Sequence, residues 1–437
     1  MKTLFHIVFL LIICWQTIRA QEVAIEHVNL IPMNRDGVLK DQTVVVKDGR
    51  ITEAGPAAKV KVPVGAVKVD GRGKFLMPGM GEMHGHIPPP SGPAAFIHDV
   101  LFLYVANGIT TVRGMLGHPG QLDLREKAKR GEIDSPTLYL AGPSFSGTTV
   151  KSVEEAEQRV RQQKAEGWDL LKIHPGLTKA QYDAVARTAR QVNIPFAGHV
   201  PADVGVLHAL ELRQQTIDHL DGYIEYLGGG ASEIPQEKLV EVARRTREAG
   251  VWVVPTMVVW DTILGVHEPA VIYAFPELKY LPRDLIAQWK KTYDTRRSAP
   301  QFDLARVKRI SEDRKRLLKA MDTEKVRIIF GTDAPQQYSV PGFSMHREIK
   351  AMADAGMKPY DILRSGTASV GEYFKDADRF GTLTVGSRAD AILLEANPLD
   401  NLANVSRRAG VLVRGRWMPE SAIQSRLAEI AKRNAGQ

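Results

Sequence analysis

Strand-like runs alternate with helix-like runs through the middle of this chain, and that alternation constrains its fold more than any other feature. Eight β-prone segments follow one another: Met80–His86, Ile109–Arg113, Thr137–Ala141, Leu170–His174, Phe196–Val200, Thr216–Leu220, Trp252–Pro255 and Arg327–Thr332. Helical patterns such as Val153–Glu166 and Gln181–Gln191 lie between them. Repeated βα units call for a parallel sheet. Eight of them over about 300 residues match an α/β architecture closed as a (β/α)8, TIM-like barrel. The gap between the last two segments is long. It holds a charged, helix-like insertion from about Asp261 to Glu324 that could lie over the barrel mouth.

Both chain ends have another texture, short, Val-rich and alternating. Thr43-Val-Val-Val-Lys-Asp48-Gly49-Arg50-Ile51 reads as two strands joined at Asp-Gly, a strong hairpin signal. A similar pattern returns in Gly381–Leu394 and Gly410–Trp417. The expected organisation is a small discontinuous β-sandwich from residues 21–77 and 378–437 flanking a barrel over 78–377.

The chemistry-bearing residues fall at strand ends. In Leu76-Met-Pro-Gly-Met-Gly-Glu-Met-His84-Gly-His86 the two histidines share parity, so on an extended strand both imidazoles point the same way, as a metal-ligand pair would. Lys172 follows in the fourth run, His199 ends the fifth, His219 the sixth and Asp333 the eighth. In a barrel of parallel strands, chemistry sits at the C-terminal ends, so these residues would converge on the axis.

This series resembles the amidohydrolase superfamily over nearly the whole chain. The motifs are Pro78-Gly with His84-x-His86, Gly331-Thr-Asp333, and Gly381-Thr-Leu-Thr-Val-Gly-Ser-Arg-Ala-Asp390. Within it the chain looks like the imidazolonepropionase-related branch, with its prolidase-like enzymes and ochratoxin-type amidases. The resemblance implies two divalent metal ions, zinc suiting the ligand set. His84, His86 and Asp333 would hold one, His199 and His219 the other, and Lys172 would bridge them as a carbamate, since an ammonium has no lone pair to give. Asp333 would also act as general base and acid beside a metal-bridging hydroxide. The implied activity is hydrolysis of a C–N amide bond, in dipeptides or N-acyl amino acids. Opening of a cyclic amide and non-catalytic periplasmic binding are the alternatives.

Four further positions are candidates for substrate contact. Arg113 ends the second strand and could take a substrate carboxylate in a fork, or form an ion pair inside the barrel. Tyr223 sits where relatives of this branch place a substrate-contacting tyrosine, packing of its loop being the other reading. His118 lies in a Gly-rich loop after the second strand, and His174 shares parity with Lys172. Two departures from the family pattern stand out. Glu82 occupies a position that is often Asp, and Ala141-Gly-Pro-Ser144-Phe-Ser146-Gly lacks the histidine that dipeptidase relatives often carry after strand three.

Residues 1–20 have a basic start, an apolar run from Leu4 to Trp15 and a terminal Ala20, the pattern of a signal peptide. The expectation is export to a bacterial periplasm or medium, with no membrane association after cleavage. An uncleaved anchor is the other reading. Cys14, the only cysteine, lies within this segment, so a processed chain would carry no disulfide. The formal net charge of +8 is spread along the chain without an aromatic-interleaved basic patch, so no nucleic-acid partner is expected. The expected partner is a small amide substrate, with self-association left open.

Overall fold

A computed structural model describes residues 22–436. The N-terminal segment read as a signal peptide therefore lies outside the described residues. Among those described, no helix is long and apolar enough to cross a membrane.

The barrel forms from the eight expected runs, seven of them trimmed by one to four residues and the second extended by one. The strands are Met80–Gly85, Ile109–Gly114, Thr137–Leu140, Leu171–Ile173, Phe196–Gly198, Thr216–Asp218, Trp252–Val254 and Arg327–Ile328. Parallel ladders join the first three and the last five. Two contacts close the ring. Parallel bridges pair Ala141 with Leu170 and Phe145 with Ile173. At the other seam Met83 N donates to Phe330 O (2.9 Å), Asp333 N to His84 O (2.8 Å) and His86 N to Ala334 O (2.7 Å). The short strands are buried almost throughout, as a parallel sheet covered by helices requires.

Helices surround the ring. The helix Lys179–Gln191 starts with a capping box in which Thr178 and Gln181 satisfy each other's backbone, and buries Tyr182, Val185 and Ala189 on its inner face. The long insertion is not a single lid. Its helix Leu304–Thr323 takes a place in the outer ring beside Gln236–Ala249, where Arg244 meets Glu324 at 3.1 Å. Its other long helix, Arg283–Arg297, packs Trp289 and Tyr293 against Tyr338 after strand eight.

The chain ends build one eight-stranded sheet. Val23–Leu30 pairs with Leu39–Lys47, which turns at Asp48 and Gly49 into Arg50–Pro56. Both turn residues have positive φ, 50° and 74°, the geometry that an Asp-Gly hairpin turn supplies. Phe75–Pro78 runs antiparallel to Ala391–Leu394, with Leu76 opposite Leu393, and this pairing joins the two ends. The sheet curls so that Ala389 N reaches Gly49 O (2.8 Å), enclosing Val23, Ile25, Val44, Leu76 and Leu393. Arg388 secures the sheet to the barrel, bonding Asp390 and Asp378 (2.6 Å each) and Thr111 Oγ1 of the second barrel strand (2.6 Å). The chain closes in a helix, Glu420–Ala435, that the sandwich reading of 378–437 did not foresee. It buries Ile423, Leu427 and Ile430, a helical spacing.

Candidate metal centre

The six residues expected as ligands meet at the C-terminal mouth of the barrel. His84, His86 and Asp333 offer ligand atoms that all lie within 4.8 Å of one another. Asp333 Oδ1 is 2.7 Å from His86 Nε2 and 3.7 Å from His84 Nε2, and Oδ2 is 3.9 Å from His219 Nδ1. The ring centroid of His219 is 4.3 Å from that of His84 and 4.6 Å from that of His199. Lys172 Nζ, fully buried, lies 3.1 Å from His84 Nε2.

Three of the four imidazoles are oriented from behind. His84 Nδ1 meets Asp218 Oδ2 at 2.7 Å, His199 Nδ1 meets Asp221 Oδ2 at 2.6 Å, and His219 Nδ1 meets Thr256 Oγ1 at 2.8 Å. A carboxylate that takes the Nδ1 proton leaves the lone pair on Nε2, facing the cluster. Burial first, and the neighbouring Lys172 and histidines second, hold His84 well below the ordinary imidazole range. Burial and the neighbouring His84 and His199 do the same for His219. Both are therefore neutral lone-pair donors. The buried Nε2 of His219 has no hydrogen-bond partner. This orphaned nitrogen, on a ring packed against those of His84 and His199, fits a cation, and a nitrogen–oxygen set of this kind suits zinc.

Lys172 is pushed down to about 8 because its ammonium is desolvated, against the pull of Asp218 and Asp333. Gly198 makes room for it. Its φ is +124°, and a Cβ there would lie 2.5 Å from Ile173 O and 3.0 Å from Lys172 Cδ, so only glycine fits before His199. Glu82 does not face the ligands. Its Oε1 accepts from His84 N (3.1 Å) and Thr332 N (2.7 Å), and its Oε2 from Thr332 Oγ1 (2.6 Å), which ties strand one to strand eight. Burial pushes its carboxyl up to about 8.

Two substrate-contact expectations are corrected. Arg113 is fully buried inside the barrel, with Nε on Met83 O (2.6 Å), Nη1 on Thr216 Oγ1 (3.1 Å) and Tyr373 OH (3.0 Å), and Nη2 on Asp218 (3.3 Å). A guanidinium committed to these partners cannot fork onto a substrate, so the intra-barrel ion pair is the correct reading. Tyr223 is also fully buried, and its hydroxyl meets Thr246 Oγ1 at 2.8 Å in the helix Gln236–Ala249, so it packs the loop rather than facing the mouth. His118 is half-buried, and burial first and the neighbouring His86 second lower its pKa below the ordinary imidazole range. His174 lies with its ring 5.1 Å from that of His199.

Sequence reasoning missed the orienting groups Asp218, Asp221 and Thr256, and Gln336, whose Nε2 donates to Asp333 Oδ2 at 2.8 Å. For the two aspartates a signal existed: carboxylates stand one residue before and two after His219.

Solved structures share the fold. A putative prolidase from Bifidobacterium longum aligns with TM-score 0.70 at 22% identity, covering 95% of this chain and all of that one. Bottromycin amidohydrolase aligns with TM-score 0.74 at 21% identity, covering 95% of this chain and 91% of that one. A Xaa-Pro dipeptidase with methionine bound in its active site aligns with TM-score 0.69 at 18% identity, covering 91% of this chain and all of that one. Among curated proteins none matches. The sequence profile of the amidohydrolase family matches residues 75–418, from the strand that leads into the barrel to the strand before the C-terminal helix, and the chain belongs to that family of hydrolases.

Proposed function

We propose that this chain hydrolyses the amide bond of a dipeptide or N-acyl amino acid with two divalent cations, zinc by the nature of the ligands. The observation that carries the reading is the position of Asp333, whose two oxygens face His84 and His86 on one side and His219 on the other. His84, His86 and Asp333 would hold one cation and His199 and His219 the second, with Lys172 between them as a carbamate. The full burial of Lys172 against His84 Nε2 favours this over the one-cation reading that goes with cyclic amides. Bound cations supply Lewis-acid polarisation of a carbonyl and a water acidic enough to ionise near neutral pH.

The protein's own groups do the rest. Asp333 takes the proton of the attacking water and returns it to the leaving amine. Gln336 fixes its Oδ2 by donating to it. With Arg113 and Tyr223 withdrawn, His118 and His174 remain of the substrate-contact candidates, and substrate discrimination is assigned to them. The likeness to proteins described as a prolidase and a Xaa-Pro dipeptidase supports a small peptide-like substrate. The leader-like residues 1–20 support export, checked by intact mass of the native protein, which should begin near Gln21.

The functional test is release of free amino acid from a library of dipeptides and N-acyl amino acids, followed by mass spectrometry with zinc, manganese or cobalt added. Cation-dependent turnover that disappears in Asp333→Asn is expected. A protein that binds two cations and turns over no library member would overturn the amidase reading and leave a binding protein in its place.

A further inference from the structure

Arg314 projects from the inner face of the helix Leu304–Thr323, and its side chain is buried. Nη1 donates to His219 O at 2.6 Å and Nη2 to Pro255 O at 3.2 Å. The guanidinium lies 5.2 Å from the ring centre of Trp260, and that ring is 5.9 Å from His219. Its Nε has no partner, and among the described residues no carboxylate forms an ion pair with it. A buried cation bonded to no carboxylate is costly, and two carbonyls, an indole face and the unbonded charges of Asp261, Asp221, Glu225 and Glu348 offset that in part.

The backbone of His219 explains the need. Its N–H makes a last ladder bond to Val254 O (2.7 Å), and the chain then turns left-handed, with φ +65° at His219 and +54° at Leu220. The His219 carbonyl thereby leaves the sheet while buried, and a buried carbonyl requires a donor. Thr256, which anchors the His219 ring, is itself left-handed at φ +42° and follows Pro255, the second carbonyl that Arg314 holds. One guanidinium thus ties the end of strand six, which bears the ligand, to the end of strand seven, which bears the ligand's anchor.

We infer that Arg314 is a positioning residue for the cation held by His199 and His219: by fixing the carbonyls of His219 and Pro255 it keeps the His219 Nε2 and its Thr256 anchor in the ligating arrangement. This rests on the two-cation reading above. Arg314 acts through His219 and touches neither cation nor substrate, and it gives the insertion between strands seven and eight a role at the centre.

The test is cobalt(II) titration of the chelator-treated full chain, read by visible absorption and calorimetry, for wild type, Arg314→Met, Arg314→Lys and Leu318→Ala. Leu318 is buried on the same helix and serves as a control for plain loss of stability. Wild type should take two equivalents. Arg314→Met should keep the first and bind the second about 10–100-fold more weakly, the usual cost of losing a group that orients a ligand. Arg314→Lys, able to reach one carbonyl, should fall between them. Leu318→Ala should melt earlier yet bind both equivalents as wild type does. A folded Arg314 variant with second-site affinity within twofold of wild type overturns the inference. So does equal weakening in Leu318→Ala, or a lysine variant that cannot fold. If wild type itself takes a single equivalent, the two-cation reading fails and this inference with it, recognisable because the variants then match a one-equivalent wild type.

Discussion

His84 and His219 stand with ring centroids 4.3 Å apart, yet they are held by different means. His84 lies inside a strand. Its neighbours belong to the seam that closes the barrel, where Glu82 bonds Thr332 and Asp333 N bonds His84 O. Its ring is braced by Asp218, which is held by Arg113 and by Thr216 Oγ1 at 2.6 Å, all within the barrel. His199 and His219 stand past the ends of their strands, after backbone turns at Gly198 and at His219 itself. Their braces, Asp221, Thr256 and Arg314, come from loops and the outer ring. Barrel closure therefore makes one half of the centre, while the other half is assembled from parts that can shift without opening the barrel.

The largest expected effect falls on the residue that serves both halves. Asp333 has φ +61°, a conformation that Asn tolerates well, so Asp333→Asn is a fair replacement. It should lower kcat about 10²–10⁴-fold or more, as loss of a general base does, with a melting temperature near wild type. A variant within tenfold of wild type in steady-state kinetics would remove Asp333 from the mechanism.

The comparison sharpens with Asp218→Asn against Asp221→Asn. Each should weaken cation binding at its own half about 10–100-fold. Their effects on folding should differ. Asp218→Asn strips the buried Arg113 of its anion and should cost about 3–5 kcal/mol, while Asp221→Asn, at a partly exposed site, should cost about 1 kcal/mol or less. Equal losses in chemical denaturation would show that the halves are not built differently. Removal by graded chelators should follow the same logic, with the His199–His219 cation leaving first. Simultaneous loss of both, read by elemental analysis, would break the distinction.

A last effect, on stability alone, concerns the seam. Glu82, with its carboxyl raised to about 8 by burial, stays protonated in the fold where the unfolded chain has ionised. Its contribution to stability is full below about 4.5 and is lost as pH rises through about 8. In Glu82→Gln the amide can accept the same two N–H groups and donate to Thr332 Oγ1. Relative to wild type the variant should gain stability steadily between pH 5 and 8, on the order of 1 kcal/mol for each pH unit, in denaturation experiments. A difference independent of pH would show that Glu82 is ionised in the fold.

Much of this was legible in the sequence because it rests on local signals. Strand-helix alternation gave eight strands within a few residues of their bounds, and the strand-end positions of His84, His86, Lys172, His199, His219 and Asp333 brought them to one mouth. Arg113 was ambiguous because its place at a strand end cannot tell whether the guanidinium turns along the barrel axis or out to solvent. That choice is made by Asp218 and Tyr373, more than 100 residues away in sequence. Tyr223 was misread because its partner Thr246 belongs to the next helix, whose rotation no local pattern reports. Arg314 sat inside Arg314-Lys315-Arg316, a run that reads as a solvated face until the helix is docked. The C-terminal helix had a readable spacing at Ile423, Leu427 and Ile430, but the strand pattern just before it drew the reading onward.

The pairing of Leu76 with Leu393 has a consequence for how the chain is made. Synthesis proceeds from the N-terminus, so the strand Phe75–Pro78 waits for its neighbour Ala391–Leu394 until more than 300 further residues have been made. During that interval the early strands present an open edge, and the barrel lacks the sheet that Arg388 fastens to it. A contact of such sequence separation is slow to form because the loop it closes is long. The nascent protein should therefore remain short of its final state until Ala391–Leu394 is released, and truncations that remove this strand should fail as whole molecules rather than lose one domain.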